Sequence, residues 1–145
     1  MSKLECVEGN GKKYATEIPY STTERRVGTW TNGKPLYEKV ITGTTGNTTD
    51  GNFATKEVPM GTSNLDDFFI DKAFCYDSYG ESLPIPYTSN TGYIIKALPT
   101  KANTLRVIIN GSVFNNLPFN ISIRYTKTTD QSYLVAERNQ NGKII

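Results

Sequence analysis

Five carboxylates crowd into one stretch: Asp66, Asp67, Asp71, Asp77 and Glu81. A carboxyl pair can cleave a glycosidic bond when the two groups face each other across about 5–9.5 Å. The spacing here disfavours that chemistry. On an extended strand Asp67, Asp71 and Asp77 share one face, and Asp67 and Asp71 stand about 13 Å apart at ~3.3 Å per residue. The chain contains no histidine, which removes Ser-His-Asp and Cys-His nucleophiles and the usual zinc enzymes. Two cysteines, Cys6 and Cys75, do not make a disulfide framework. Cys75 lies in an apolar run and reads as a small buried hydrophobe, with pairing to Cys6 left open. The segment GTTGNTTDGN (43–52) lacks the Gly-Lys-Ser/Thr ending of a phosphate loop. Its Asn47, Asp50, Gly51, Asn52 grouping lacks the alternating carboxylates and final glutamate of a calcium loop. No catalytic residue, cofactor or metal is expected.

Binding chemistry remains. A pyranose has apolar faces and a polar rim, so a sugar site pairs an aromatic face with Asn, Asp or Thr. Tyr79, Tyr87, Tyr93 and Phe114 fall beside turn signals, and Asn90, Asn115 and Asn116 lie near them. Tyr79, Tyr87, Asn90, Tyr93, Phe114 and Asn115 are therefore the candidate ligand-binding residues. Trp30, next to Asn32-Gly33, reads instead as a packing anchor.

The elements that must position these residues are strands. Asn32-Gly33 predicts a two-residue type I′ hairpin joining Arg25–Trp30 to Pro35–Thr42, with Trp30 opposite Pro35 and Thr29 opposite Leu36. The loop 43–52 is too polar to order itself by packing. Phe53–Pro59 is a short strand. Asn64–Asp77 is apolar on both parities: Phe68, Ile70, Phe74 and Tyr76 on one, Phe69, Ala73 and Cys75 on the other. Its aromatic content favours a strand covered on both faces, and a helix capped by Asn64 is the alternative. Leu83–Tyr87 carries Pro84 and Pro86, so it belongs at a sheet edge or in an extended loop. Tyr93–Leu98, Leu105–Asn110 and Phe119–Thr126 follow, the last two strictly alternating, and Tyr133–Glu137 is a possible final strand.

This is an all-β pattern, an antiparallel β-sandwich or jelly-roll-like fold of about eight or nine short strands. At 145 residues it is one domain. A flexible N-terminal segment or attachment strand is expected over 1–19, the sandwich over 20–138 and a frayed tail over 139–145. The net charge of +2 is small and mixed. Lys12-Lys13 and Arg25-Arg26 are isolated pairs, so no nucleic-acid partner is expected. The N-terminus has no apolar leader core and no stretch suits a bilayer, so synthesis in a cytoplasm without membrane insertion is expected.

Two blocks carry a family resemblance. The first is Tyr20-Ser21-Thr22-Thr23-Glu24, then Val27-Gly28-Thr29-Trp30, then Gly33-Lys34-Pro35-Leu36-Tyr37. The second is Ile121–Asp130, an alternating strand ending Tyr-Thr-Lys-Thr-Thr-Asp. Together they resemble a module of tail-fibre and minor structural proteins of bacteriophages and prophages. The resemblance implies a non-enzymatic, all-β virion domain at a fibre tip or on the particle surface, a homotrimer contacting other virion proteins. Joined to the sugar chemistry above, the expected function is multivalent attachment to a bacterial surface polysaccharide. A purely structural baseplate, head-fibre or decoration component is the first alternative. A carbohydrate-active enzyme or its accessory carbohydrate-binding module is the second.

Overall fold

A computed structural model describes residues 6–9, 12–15 and 19–132. Eleven strands run in chain order: β1 (Cys6–Gly9), β2 (Lys12–Ala15), β3 (Arg25–Thr29), β4 (Pro35–Thr44), β5 (Ala54–Pro59), β6 (Leu65–Tyr76), β7 (Ser82–Pro84), β8 (Tyr87–Thr88), β9 (Ile94–Pro99), β10 (Thr104–Ile109) and β11 (Pro118–Lys127). Nine of them form two antiparallel sheets, ordered β3-β4-β11-β6-β7 and β5-β10-β9-β8. The expected antiparallel sandwich is thus the observed fold. Within the segment expected to be flexible, β1 and β2 form a separate hairpin, Gly9 facing Lys12. The Tyr133–Glu137 strand and the tail over 139–145 lie outside the described residues.

The strictly alternating strands build the core. Leu105, Val107 and Ile109 of β10 and Phe119, Ile121, Ile123 and Tyr125 of β11 are all buried between the sheets. Each such side chain contributes about 1.5–3 kcal/mol by leaving water. The Tyr125 ring stacks on Tyr37 at 5.9 Å, and its hydroxyl donates to Glu24. Lys127 donates to the other Glu24 oxygen at 2.8 Å. Burial, then the bond to Glu24, holds the Tyr125 phenol protonated far above its ordinary range.

β6 is a strand and not a helix. Asn64 sits at φ 55, a left-handed conformation, whereas a helix N-cap is extended. A β-bulge explains why β6 is apolar on both parities. Ser122 faces Lys72 but Ile123 faces Ile70, so Asp71 is an extra residue. Phe68 and Ile70 before the bulge, and Ala73 and Cys75 after it, all follow β11 inward. Lys72, Phe74 and Tyr76 turn to the outer face. The sequence grouping of Phe68 and Ile70 with Phe74 and Tyr76 is corrected accordingly.

The hairpin register also differs from expectation. Thr29 faces Pro35, and Gly28 faces Leu36. Gly33 donates to Trp30 O at 2.9 Å, Trp30 donates to Lys34 O at 2.9 Å, and Gly33 alone has positive φ, 82°. This is a three-residue loop, a type I turn followed by a left-handed glycine. Asn32 selects it by accepting the Lys34 amide on its side chain at 3.0 Å. The loop folds onto the sheet: the Trp30 ring meets Phe69 at 4.8 Å, and its indole N–H donates to Asp67 at 3.0 Å. Trp30 is the packing anchor that its position suggested.

The two-proline segment leaves one sheet and enters the other. β7 is the edge of the five-stranded sheet and β8 the edge of the four-stranded one, with a cis Ile85–Pro86 bond between.

Candidate functional site

The strand registers gather four connections at one end of the sandwich. Thr44 faces Pro118, Cys75 faces Phe119, and Ala54 and Ile95 both face Ile109. The loops 45–53, 77–81, 89–93 and 110–117 therefore emerge together. Two of them are laced by polar bonds. The buried Thr45 hydroxyl donates to Phe114 O at 2.5 Å and accepts the Leu117 amide at 2.8 Å. One oxygen of Asp50 accepts both the amide and the hydroxyl of Ser112, at 2.7 and 2.8 Å. The Asn115 side chain accepts the Thr48 amide and donates to Thr48 O. Hydrogen bonds thus order the segment 45–52, which is too polar to order itself by packing.

This lacing decides which candidate residues face solvent. Phe114 is buried, with Tyr87 edge-on to it at 6.3 Å. Asn115 has both polar atoms committed to Thr48. Tyr93 packs beneath Gly111, where a Cβ would come within 2.5 Å of it. Phe114 and Asn115 are therefore removed as ligand contacts, and Tyr87 and Tyr93 are half-buried supports. Asn90 is exposed at the tip of the β8–β9 turn. Tyr79 is 91% exposed, on a turn whose Tyr79 and Glu81 amides donate to Asp77 at 2.9 and 2.8 Å. Three apolar residues not singled out in the sequence join it at this end: Phe53 (64% exposed), Val113 (53%) and Tyr76 (40%).

From Tyr76 the aromatic surface continues onto the outer face of the five-stranded sheet. Tyr76 meets Phe74 edge-to-face at 5.6 Å. Beyond lies an open groove of about 300 Å³, lined by Tyr20, Val40, Lys72, Phe74, Asn120 and Ser122. Sequence reading missed it because the Asp71 bulge turns Phe74 outward. The one available signal was the polar parity of β11, which carries Asn120 and Ser122.

The carboxylates are committed locally. Asp66 pairs with Lys34 at 2.7 Å, and Asp67 accepts from Trp30 and Asn32. Asp71 accepts from the Tyr20 and Ser122 hydroxyls, both at 3.1 Å, and Asp77 holds its turn. Arg124 bonds the buried Glu38 at 2.8 Å, with Asp71 3.7 Å away. Among the described residues no group of three or more carboxylates and thiols is arranged to hold a metal ion. No family model, curated protein or solved structure matches the chain.

Proposed function

We propose that this chain is a non-catalytic attachment domain of a phage or prophage particle, binding a bacterial surface glycan through exposed aromatic residues at one end of the sandwich. One observation carries the reading. Of the six large apolar side chains exposed among the described residues, Phe53, Tyr76, Tyr79 and Val113 lie at that end. Phe53, Tyr79 and Val113 stand on loops fixed by Thr45, Asp50 and Asp77, and Tyr76 ends β6, so exposed apolar side chains are held ready with little ordering cost on binding. The virion assignment draws its support from the two resembling blocks, which fold as one unit. β4 pairs with β11, and Glu24–Lys127 and Tyr37–Asp130 bonds tie the blocks further. In a homotrimer, three linked sites of millimolar Kd gain orders of magnitude in avidity.

The test is capture of whole bacteria by the purified protein, with sedimentation beside it. Attachment predicts cell binding that competes with infection and falls on Tyr79→Ala. Binding to virions but not to cells would replace it with a purely structural role. Shortening of the purified polymer would replace it with an enzyme.

A further inference from the structure

The groove on the outer sheet face has a more specific chemistry than the aromatic end. Its two rings stand on different elements, Tyr20 ahead of β3 and Phe74 on β6. Tyr20 is 48% exposed, yet its hydroxyl is tied to Asp71 at 3.1 Å, which fixes the ring over the groove. Phe74 is half-buried and braced by Tyr76. The floor is Val40 with Ser122, whose hydroxyl donates to Asp71 and accepts the Lys72 amide. The Asn120 side-chain amide also faces the groove, and no described residue hydrogen-bonds it. Its donors and acceptor are open to a ligand.

Charge sets the ligand class. Lys72 is the sole ionised residue of the groove lining. Its ammonium lies 5.3 Å from the centre of the Tyr20 ring, and no described carboxylate forms an ion pair with it. Asp71, the neighbour of Lys72 in the chain, is held by two hydroxyls with Arg124 3.7 Å away, and Glu38 bonds Arg124; Asp71 still favours the Lys72 charge through space, and Arg124 opposes it. Two aromatic walls, an amide that no described residue bonds and one ammonium that no described carboxylate touches match a sugar ring bearing an anionic group. A volume of about 300 Å³ is at the small end of ligand sites, a fit for a single ring.

We infer that this groove binds one anionic sugar residue, its ring against Tyr20 and Phe74 and its negative group on Lys72. The inference rests on the attachment reading and names the ligand that reading leaves open. The anionic group has two sources, a carboxylate or a phosphate ester, and the probes separate them.

The experiment titrates the ¹⁵N-labelled full chain with D-glucuronate, D-glucose 6-phosphate and D-glucose, following backbone amides. The amides of Lys72, Phe74, Asn120 and Ser122 are expected to shift with at least one anionic probe. Glucose is expected to bind at least tenfold more weakly, and added salt to narrow that gap. Lys72→Met should abolish the preference for the anionic sugar. Phe74→Ala should remove groove binding, with circular dichroism confirming its fold, and Tyr79→Ala should leave groove binding intact. Equal binding of glucose, shifts mapping elsewhere, or an unchanged Lys72→Met variant would each overturn the inference. So would a changed sedimentation coefficient in Phe74→Ala, which would make the groove a contact between copies. Cell capture with no probe in the groove would sink this inference and spare the attachment reading. Groove binding without cell capture would do the reverse.

Discussion

Thr45 gives the sharpest test of how the exposed end is held in place. Its side chain is buried, and its hydroxyl satisfies two backbone groups at once, Phe114 O and the Leu117 N–H. Thr45→Val keeps the shape and removes the hydroxyl. A buried polar group left without a partner costs about 1–3 kcal/mol, and two are orphaned here. At about 1–2 kcal/mol for each of the two, a loss of about 2–4 kcal/mol is expected. Thr45→Ser is the counterpart, keeping both bonds and losing one methyl, for about 1 kcal/mol. Equilibrium urea unfolding separates the two. With a slope of about 2 kcal/mol/M, Thr45→Val should lower the midpoint by roughly 1–2 M and Thr45→Ser by about half a molar. The order matters more than the size. Thr45→Ser less stable than Thr45→Val would mean that packing, and not the hydroxyl's hydrogen bonds, holds the site.

Three other outcomes are expected. Burial pushes the Glu24 carboxyl up, but bonds from Lys127 and Tyr125 outweigh it and hold its pKa below the ordinary 4.5. Its contribution to stability is therefore fully present above pH 4.5 and is lost as pH falls through the lower folded value. Unfolding curves of Glu24→Gln, measured from pH 6 to pH 2, should lack that part of the acid loss. The Cys75 thiol is buried and its pKa is pushed up to about 11 by burial and then by Asp77. In a Cys6→Ser background it should react with a disulfide reagent at least about a hundredfold more slowly than in urea, and native reaction as fast as in the unfolded chain would contradict its burial. Gly43 faces the Phe119 ring, whose Cζ would lie 2.8 Å from an added Cβ. Gly43→Ala should destabilise by about 1–3 kcal/mol, read by thermal unfolding.

The fold was legible where one periodicity held from end to end. β10 and β11 alternate without interruption, and their inward residues are those read from sequence. β6 was legible as a strand but not in its faces, because a bulge at Asp71 has no residue signature. Asn32-Gly33 marked the turn but not its length, which the Asn32 side chain settles by accepting the Lys34 amide. The candidate site was less legible for a related reason. Tyr79 was recognisable because its exposure follows from the local Asp77 turn. Phe114 and Asn115 carried the same local signals, yet Thr45 and Thr48, about seventy residues earlier, draw them in. The groove combines residues from four separated segments, a juxtaposition that no window of sequence displays.

The crossing from β7 to β8 bears on how copies of this protein can assemble. A free strand edge is a template on which another chain can continue the sheet. At β7 that template is three residues long and ends in Pro84; at β8 it is two residues long and directly follows Pro86. Neither length nor proline's missing N–H allows useful pairing, so lateral growth on this flank is blocked in both layers by one short segment. Among the described strands of the sandwich, the two remaining sheet edges are β3 and β5. Runaway polymerisation is thereby opposed on the flank nearest the groove wall formed by β6.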